Sequence, residues 1–386
     1  MFKQILLSFL LFIVLSATVS AQTLNSFYSG IVNNVSSANI LADLNTFESL
    51  GVKEINTTAL DNTQAWIKSR YESLGYTDIV EQAFSFSGGT THNIIITKTG
   101  TLYPNTYVII DGHYDTINGT GTNDNGSGTA LILELARLLK DIDTEYSIKF
   151  IHFSGEENGL IGSNYYVNNT VVPQSLDIEL VFNIDEVGGV SGMVNDTIVC
   201  EQDTSSPTTN NAASAAMTQI LANAMELYST LDTEISNAYG SDYVPFENNG
   251  EIITGLYEKN ESPYAHTSND VLSNMDVDYL FQVTKGSLGA ALHFAVGTQT
   301  LGVDLEDEMA KKVTIYPNPS DGIINLKNTS TKTFNIKILN VLGKEVYTSS
   351  IDTTTTSLDL SSLRKGIYMV VFKTENASFT KKIVLN

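Results

Sequence analysis

A set of acidic and imidazole side chains spread over the first 270 residues has the types that bind metal ions. The set consists of His113, Asp115, Asp124, Glu156, Glu157, Asp185 and His266. Imidazole nitrogens and carboxylate oxygens are ligands that Zn²⁺ and similar divalent ions accept. Two imidazoles and three carboxylates are too many for one tetrahedral site, but two ions about 3.5 to 4 Å apart, bridged by a carboxylate and a water, would use them all.

Short apolar strands must position these side chains. Three predicted strands, at residues 107–111, 147–153 and 178–185, each precede or end in members of the set. Open α/β sheets bind their ligands at the carboxyl ends of the strands, so residues from separate strands meet at one edge. We therefore expect these groups to converge, with Asp124 on a loop between them.

Each motif also has a simpler interpretation when it is taken alone. Asp115 lies two residues from His113 in extended chain, so it could orient a metal-bound imidazole, but the two could equally form an ordinary hydrogen-bonded pair. Asp124 could be a helix N-cap or a turn residue. The pair Glu156 and Glu157 could be a solvated turn. Only their expected convergence at one edge favours a metal centre.

The pattern of elements predicts an α/β fold followed by a smaller β domain. Apolar runs at residues 92–98 and 253–258 add to the three strands above. Predicted helices lie between the strands, at residues 129–141, 213–228 and 276–296. Such alternation indicates a mixed, mostly parallel sheet covered by helices on both faces. After residue 312 only short strands with Gly and Pro turns remain, which is typical of a small all-β sandwich.

Charge divides the chain in the same way. The whole chain has 43 acidic and 21 basic residues, and its net charge of −22 argues against a nucleic-acid partner. Residues 310–386 nevertheless carry a net charge of +6, whereas the residues before them carry −28. This contrast, across the charged stretch LGVDLEDEMAKK, predicts a domain boundary near Glu308.

The N-terminus has the pattern of a secretory signal peptide. Lys3 precedes an apolar run at residues 5–14, and small residues lead to a cleavage site after Ala21. The run is too short to span a bilayer, and no later segment is long and apolar enough, so we expect no transmembrane anchor. The predicted organisation is a signal peptide at 1–21, an α/β domain at 22–308 and a C-terminal domain at 309–386. Cys200, the single cysteine, cannot form an intrachain disulfide.

Taken together and in order, the motifs GHYDT, NDNGSG, SGEENG, NIDEVGG and SPYAHTSND resemble those of a known enzyme family. That family is the co-catalytic di-zinc aminopeptidases of the bacterial leucyl aminopeptidase type, which includes aminopeptidases S and Y. The resemblance covers about residues 30–300 and implies two zinc ions per chain. It implies that His113 and Asp185 are terminal ligands of opposite ions and that Asp124 bridges them.

The same resemblance assigns roles to the remaining residues. Glu157 and His266 would complete the two coordination spheres, one on each ion. Glu156 would be the general base that deprotonates the bridging water and passes the proton to the leaving amine. The peptide bond between Asp124 and Asn125 would be cis. From the residue spacing itself, and not from the resemblance, Asp115 is expected to act with Glu156 in catalysis by orienting the His113 imidazole.

One motif departs from the family pattern. The family has Ser-Asp-His before the final strand, but this chain reads GSDYVPF, with Tyr243 at the His position. Tyr243 or Tyr239 could donate a hydrogen bond to the tetrahedral oxyanion, or either could be a packing or surface residue. Asp242 is expected to lie next to the ligand residues and to stabilise their positions without binding metal itself. Structural roles are expected for the remaining histidines and the cysteine, His92, His152, His293 and Cys200.

The C-terminal segment resembles a sorting domain. Its motifs YPNPSDG, NVLGKEV, LRKGIYMVVF and KKIVLN are similar to the type A C-terminal sorting domain of the type IX secretion system in Bacteroidetes. This resemblance implies contact with outer-membrane secretion machinery and a secreted or cell-surface location.

The sequence as a whole predicts a secreted zinc aminopeptidase that removes N-terminal, apolar residues from peptide or protein substrates. Two alternatives stay open. One is a glutaminyl-cyclase-like transferase with a single zinc ion, and the other is a non-catalytic peptide-binding surface protein on a peptidase scaffold. Metal content and cyclisation of N-terminal Gln would distinguish the two enzymes. The presence of Glu156 together with all five candidate ligands argues against the non-catalytic alternative.

Overall fold

The computed structural model describes residues 22–296, 310, 312–330, 333–341, 343–352, 355–374 and 378–386. These residues fall into two compact units, divided at residue 297. The predicted signal peptide at 1–21 and the predicted boundary near residue 308 lie outside the described residues. Within the described ranges, no helix is long and apolar enough to cross a membrane.

The first unit is built on one eight-stranded sheet. Its strands are β1 (Ile79–Phe86), β2 (Gly89–Lys98), β3 (Tyr103–His113), β4 (Tyr146–Phe153), β5 (Asp177–Ile184), β6 (Thr197–Gln202), β7 (Asp232–Asn237) and β8 (Ile253–Glu258). Their order across the sheet is β1-β2-β4-β3-β5-β8-β6-β7. The central pairs β4-β3, β3-β5 and β5-β8 are parallel, as is β6-β7, and the other pairs are antiparallel. The sheet is therefore mixed and mostly parallel, as predicted.

Helices pack on this sheet from both sides. They are α1 (Ser26–Val32), α2 (Ser37–Ser49), α3 (Thr58–Ser73), α4 (Gly126–Leu139), α5 (Ile161–Tyr166), α6 (Val172–Gln174), α7 (Asn211–Tyr228), α8 (Val244–Asn248) and α9 (Val277–Ala295). A π-helical turn over Val167–Val171 joins α5 to α6, and a 3₁₀ turn covers Leu272–Asn274.

Alternate residues of β2 demonstrate that both faces are covered. Ile94 and Ile96 are buried in a core cluster that includes side chains of α2, α3, α4, α7 and α9. Ile95 between them is buried in a second cluster, with Tyr166 of α5 and Phe246 of α8. Successive side chains of a strand point to opposite faces, so a strand covered on both faces reads as a continuous apolar run.

The side chains expected to be structural lie within these elements. Cys200 is fully buried in β6. His152, in β4, is buried and shares a 2.9 Å hydrogen bond with the hydroxyl of Tyr71. His293, on α9, lies 3.2 Å from the hydroxyl of Tyr228. These contacts agree with packing roles.

The carboxyl ends of β3, β4 and β5 lie side by side, because β3 pairs in parallel with both of its neighbours. Two glycines permit the local chain path. Gly128, in the first turn of α4, approaches β5 so closely that an added Cβ would lie 2.5 Å from the carbonyl oxygen of Ile184. Gly155 has a φ of +77°, a left-handed conformation that favours glycine, and it turns the chain just before Glu156.

The second unit consists of two small antiparallel sheets. Its strands are β9 (Val313–Tyr316), β10 (Ile323–Asn328), β11 (Phe334–Asn340), β12 (Glu345–Ile351), β13 (Thr355–Asp359), β14 (Gly366–Lys373) and β15 (Ser378–Leu385). The orders are β13-β10-β9 and β12-β11-β14-β15. Leu326 from the first sheet and Phe334 from the second belong to one buried core, which is the arrangement of a sandwich. The predicted fold class is thus confirmed for both units.

Candidate active site

The first group of candidate ligands surrounds the imidazole of His113 at the end of β3. Its Nε2 atom lies 3.3 Å from Oδ1 of Asp124 and 3.3 Å from Oδ1 of Asp185. Asp185 follows β5 directly, and its other oxygen accepts a 2.7 Å hydrogen bond from the hydroxyl of Ser241. The three donor groups lie close enough together to hold one metal ion.

The second group contains the other face of Asp124. Nε2 of His266 lies 3.0 Å from Oδ2 of Asp124 and 2.8 Å from Oε2 of Glu157. These three groups could also hold one ion. Asp124 belongs to both groups, with one carboxylate oxygen toward each imidazole. This is the arrangement that a carboxylate bridging two ions requires.

Two further aspartates hold the ligand-bearing loops. The carboxylate of Asp115 accepts hydrogen bonds from the backbone N–H groups of Glu156 and Glu157, at 3.2 and 3.3 Å. The backbone carbonyl of Asp115 lies 3.1 Å from Nδ1 of His113, nearer than its carboxylate at 3.8 Å. Asp270 accepts from the backbone N–H of Asp124 at 3.0 Å. The structure therefore places Asp115 where it fixes both the imidazole and the turn with the two glutamates.

The local geometry of the Asp124 loop also agrees with the resemblance. The peptide bond between Asp124 and Asn125 is cis. The side chain of Asn125 caps α4 by accepting from the N–H of Gly128 at 2.9 Å, and its amide donates to the carbonyl of Ile184 at 2.8 Å. The loop is thereby tied both to α4 and to the end of β5.

The charges at the site are unbalanced without a cation. Burial opposes protonation of His113, but the carboxylates of Asp185 and Glu156 outweigh it and raise the pKa of the imidazole well above its usual value. The hydrogen bond to Asp124 raises the pKa of His266 to about 9. Burial acts against ionisation of Asp124, but its bonds to both imidazoles hold its pKa well below the usual range. The carboxylates thus favour positive charge at both imidazoles.

The adjacent glutamates differ in surroundings. Burial, followed by the charge of Asp124, raises the pKa of Glu157 to about 9, and its Oε1 atom is buried with no hydrogen-bond partner among the described residues. Burial also raises the pKa of Glu156, to about 7. Oε2 of Glu156 lies 3.9 Å from Nε2 of His113, farther than the oxygens of Asp124 and Asp185. Glu156 therefore stands beside the ligand groups rather than among them.

The residues of the GSDYVPF motif lie at the same site but make different contacts. Asp242 is fully buried, and burial together with the charge of Glu156 raises the pKa of its carboxyl well above the usual value. The hydroxyl of Tyr243 accepts from the backbone N–H groups of Tyr239 and Gly240, at 3.0 and 3.2 Å. Within the described part of the chain, neither tyrosine hydroxyl bonds to any of the five ligand side chains.

A cavity of about 200 Å³ opens beside the ligands, and its wall contains residues that sequence reasoning did not identify. Glu186 and Glu201 line it together with Tyr239, Tyr243 and Tyr257. Glu186 could have been noticed because it directly follows Asp185, as Glu157 follows Glu156. Glu201 lies in an apolar strand, and no sequence motif marks it. The supporting roles of Ser241 and Asp270 were missed because they depend on contacts between distant segments.

Comparison with known proteins extends this picture. Residues 93–290, just over half of the chain, match Peptidase family M28, and residues 314–386 match the Secretion system C-terminal sorting domain. The chain is 31% identical over 238 residues to Aminopeptidase YwaD of Bacillus subtilis, covering 60% of this chain and 50% of that protein. The chain thus spans about half the length of this curated relative.

Solved structures are similar in fold. LapA aminopeptidase of Legionella pneumophila has a TM-score of 0.61 and 21% identity, over 72% of this chain and 78% of that one. Macrostomum lignano glutaminyl cyclase has a TM-score of 0.61 and 15% identity, over 71% and 94% of the two chains. At such identities the likeness concerns the fold alone. The family match, however, runs through all the ligand-bearing strand ends and His266, and the chain therefore belongs to peptidase family M28.

Proposed function

We propose that this chain is a secreted aminopeptidase that uses two zinc ions, with Glu156 as the general base. The observation that carries the proposal is the position of Asp124, whose two oxygens face His113 and His266 separately. A single-ion site would need only one of the two ligand groups, whereas a shared carboxylate between them suits a pair of ions.

The residues fit zinc in chemistry as well as in number. Each group offers one imidazole and two carboxylates, which are common zinc ligands. The unpartnered Oε1 atom of Glu157 is a buried acceptor that a cation would satisfy. Bound zinc would lower the pKa of a water molecule to about 7 and polarise the scissile carbonyl.

The chain's own residues perform the remaining steps. Glu156 stands beside the ligand groups and outside both of them, with its Oε2 atom 3.9 Å from Nε2 of His113, which suits a group that exchanges a proton with a water held there. It would accept the proton of the attacking water and deliver it to the leaving amine. Asp115 would hold the Glu156 turn and the His113 imidazole in position through its hydrogen bonds.

Removal of the N-terminal residue agrees with the charge of the site. A surplus of carboxylates would attract the α-ammonium group of a peptide, which a segment inside a chain lacks. The relative named Aminopeptidase YwaD supports the same reaction. The predicted preference for an apolar N-terminal residue has no counterpart in the cavity, where Glu186 and Glu201 form part of the wall.

Export is proposed from the two ends of the chain. The N-terminal pattern predicts cleavage of a signal peptide near Ala21, and the match of residues 314–386 to a sorting domain supports transfer by the type IX machinery. The mature protein would then act on peptides outside the cell or at its surface.

Hydrolysis of aminoacyl arylamides by the purified protein, with and without a chelator, tests the proposal. We expect hydrolysis that is lost with chelator and restored by zinc, with two equivalents of metal per chain. One equivalent of metal together with cyclisation of N-terminal Gln would instead support the cyclase alternative. A metal-loaded, folded protein that hydrolyses no arylamide and cyclises no Gln would leave only a binding role.

A further inference from the structure

The cavity beside the ligands is lined by acids and phenols. Apart from the ligand groups and Glu156, its wall is formed mainly by Glu186, Glu201 and three tyrosines. Among the described residues that line it there is no aliphatic side chain and no Lys or Arg. A pocket for a leucine-like side chain would present apolar groups, so this wall suits a different substrate.

Glu201 is held in place by the sheet. It is 4% exposed and lies in β6, paired with Gly255 of β8. An added Cβ at Gly255 would lie 2.9 Å from Oε2 of Glu201 and 3.2 Å from the ring of Tyr243. The missing side chain at Gly255 therefore makes the space that the Glu201 carboxyl occupies, beside the Tyr243 ring.

Glu186 is held by a tyrosine of β8. Its Oε2 atom accepts a 3.1 Å hydrogen bond from the hydroxyl of Tyr257, a residue of β8. Its φ of +45° lies in the left-handed region, which is uncommon for residues other than glycine. Such strained residues concentrate at functional sites, where the surrounding contacts maintain them.

Neither carboxyl has a cation in the protein. Within the described ranges, no nitrogen of Lys, Arg or His lies within 4.0 Å of either group. Burial raises the pKa of Glu201, because no cation offsets the cost of burying its charge. A ligand that brought a positive charge into this cavity would supply the missing partner.

A substrate could bring two cations to this wall, its α-ammonium group and a charged side chain. The α-ammonium group is two bonds from the scissile carbonyl and must stay near the ligand groups. Glu201 belongs to β6, two strands from the strand that leads to Asp185, and its Oε2 atom reaches the space beside Gly255 of β8, the strand between them. A charge at the end of a long side chain can extend toward Glu201 while the carbonyl stays at the ligand groups.

We propose that this cavity selects substrates whose N-terminal residue is Lys or Arg, with Glu201 receiving the side-chain cation and Glu186 adding a second acidic group to the wall. The tyrosine rings would contact the aliphatic stem of that side chain and attract its charge through their faces. This inference rests on the aminopeptidase function proposed above and names its substrate class.

Arylamides matched in shape and different in charge test the inference on the zinc-loaded full chain. Lys is compared with norleucine and Arg with citrulline. We expect kcat/KM for each cationic substrate to exceed that of its neutral counterpart by at least about 30-fold. This factor corresponds to the smallest losses in binding free energy measured when one partner of a buried charge pair is removed. In Glu201→Gln this ratio should fall at least about tenfold. Glu72→Gln, an exposed position on α3, is the matched control and should keep the wild-type ratio.

A binding measurement provides a second readout. Calorimetric titration of the zinc-loaded wild type with free L-lysine and L-norleucine should show tighter binding of lysine, and Glu201→Gln should remove the difference. Hydrolysis of leucine and norleucine arylamides at or above the lysine rate would overturn the inference and leave the peptidase proposal intact. No hydrolysis of any arylamide would overturn both. A wild-type ratio retained in Glu201→Gln would show that Glu201 does not select the cation.

Discussion

Glu156 and Glu157 are adjacent in sequence but have different partners in the folded chain. Oε2 of Glu157 lies 2.8 Å from His266, within a ligand group, whereas Glu156 stands 3.9 Å from His113 and outside both groups. The turn that follows β4, held by Asp115, produces this divergence. The proposed roles of ligand and base therefore depend on position, since the two side chains are chemically identical.

Replacing each glutamate separately should distinguish these roles. We expect Glu156→Gln to keep the fold and both zinc ions but to lower kcat by at least ~10², the low end of general-base contributions. Glu157→Gln should instead lose zinc, because the amide is a weaker ligand than the carboxylate. Metal analysis and kinetics of both variants check this, and near wild-type turnover in Glu156→Gln would remove that residue from the mechanism.

His152 should make stability depend on pH. Burial lowers its pKa to about 3 from an ordinary 6.5, so the unfolded chain binds a proton that the folded chain excludes. The stability is therefore complete above pH 6.5 and is lost as pH falls from there toward 3. The stability difference between wild type and His152→Asn should shrink by up to about 1.4 kcal/mol per pH unit in that window.

Urea unfolding of wild type and His152→Asn at several pH values between 4 and 7 measures this effect. His293, whose pKa burial lowers to about 4, contributes to both proteins and cancels in the difference. A difference that stays constant with pH would contradict the assignment of the shift to His152.

The meeting of His113, Glu157 and Asp185 at one edge of the sheet could be predicted because these residues follow apolar strands. His113, Asp185 and the two glutamates all belong to that pattern, and the known edge of a parallel sheet brings them together. Glu201 was not predicted, because its strand carries no motif and its approach to the cavity depends on the absence of a side chain at Gly255. Contacts of that kind are set by the register of strands distant in sequence.

At the scale of elements, the strongest apolar patterns were predicted closely. The helix predicted at 213–228 covers Asn211–Tyr228, and that predicted at 276–296 covers Val277–Ala295. Strands β1, β6 and β7 were not predicted. β1 and β7 lie at the two sides of the sheet and expose many side chains, and β6 is a short strand that ends in the polar residues Glu201 and Gln202. An edge strand needs less apolar surface than a central one, so its pattern is weaker.

The close contact between α4 and β5 gives a prediction for the elements that carry the ligands. In Gly128→Ala the new methyl group would meet the Ile184 carbonyl and the Asn125 side chain, at 2.5 and 2.4 Å. We expect a loss of about 1–3 kcal/mol in the free energy of unfolding, as in other overpacked sites, and weaker zinc binding because Asp124 and Asp185 flank this contact.

Gly30→Ala in α1 is the control for that variant. No atom lies within 4 Å of the Cβ added there, so the change should stabilise the helix by up to about 1 kcal/mol and leave zinc affinity unchanged. Urea unfolding and zinc titration of both variants check the prediction. Equal stability of Gly128→Ala and wild type would show that α4 can move away from β5 without cost.

At the scale of the molecule, each unit has its own buried core. One set of clusters covers the two faces of the large sheet, and a separate cluster fills the small sandwich. The ligand groups and the cavity all belong to the first unit. A core that is complete within one unit should allow that unit to fold and act alone.

A chain consisting of residues 22–296 should therefore keep the wild-type kcat/KM for arylamides. The full-length chain, with its sorting domain, should reach the cell surface or the medium, whereas a signal peptide followed by residues 22–296 should remain in the periplasm. Cell fractionation and arylamide assays measure both outcomes. A truncated protein that is exported as well as the full chain would contradict the sorting role of residues 314–386.

The buried position of Cys200 allows opening of the first unit to be measured without introducing a new cysteine. Burial raises the pKa of its thiol, and Cys200 is the single cysteine in the sequence. Reagents that attack thiolates should therefore not react with the native protein. Each transient separation of β6 from its neighbours would expose this sulfur to a dye such as a maleimide. The labelling rate would then report transient opening of the first unit. The second unit has no cysteine and would not be labelled.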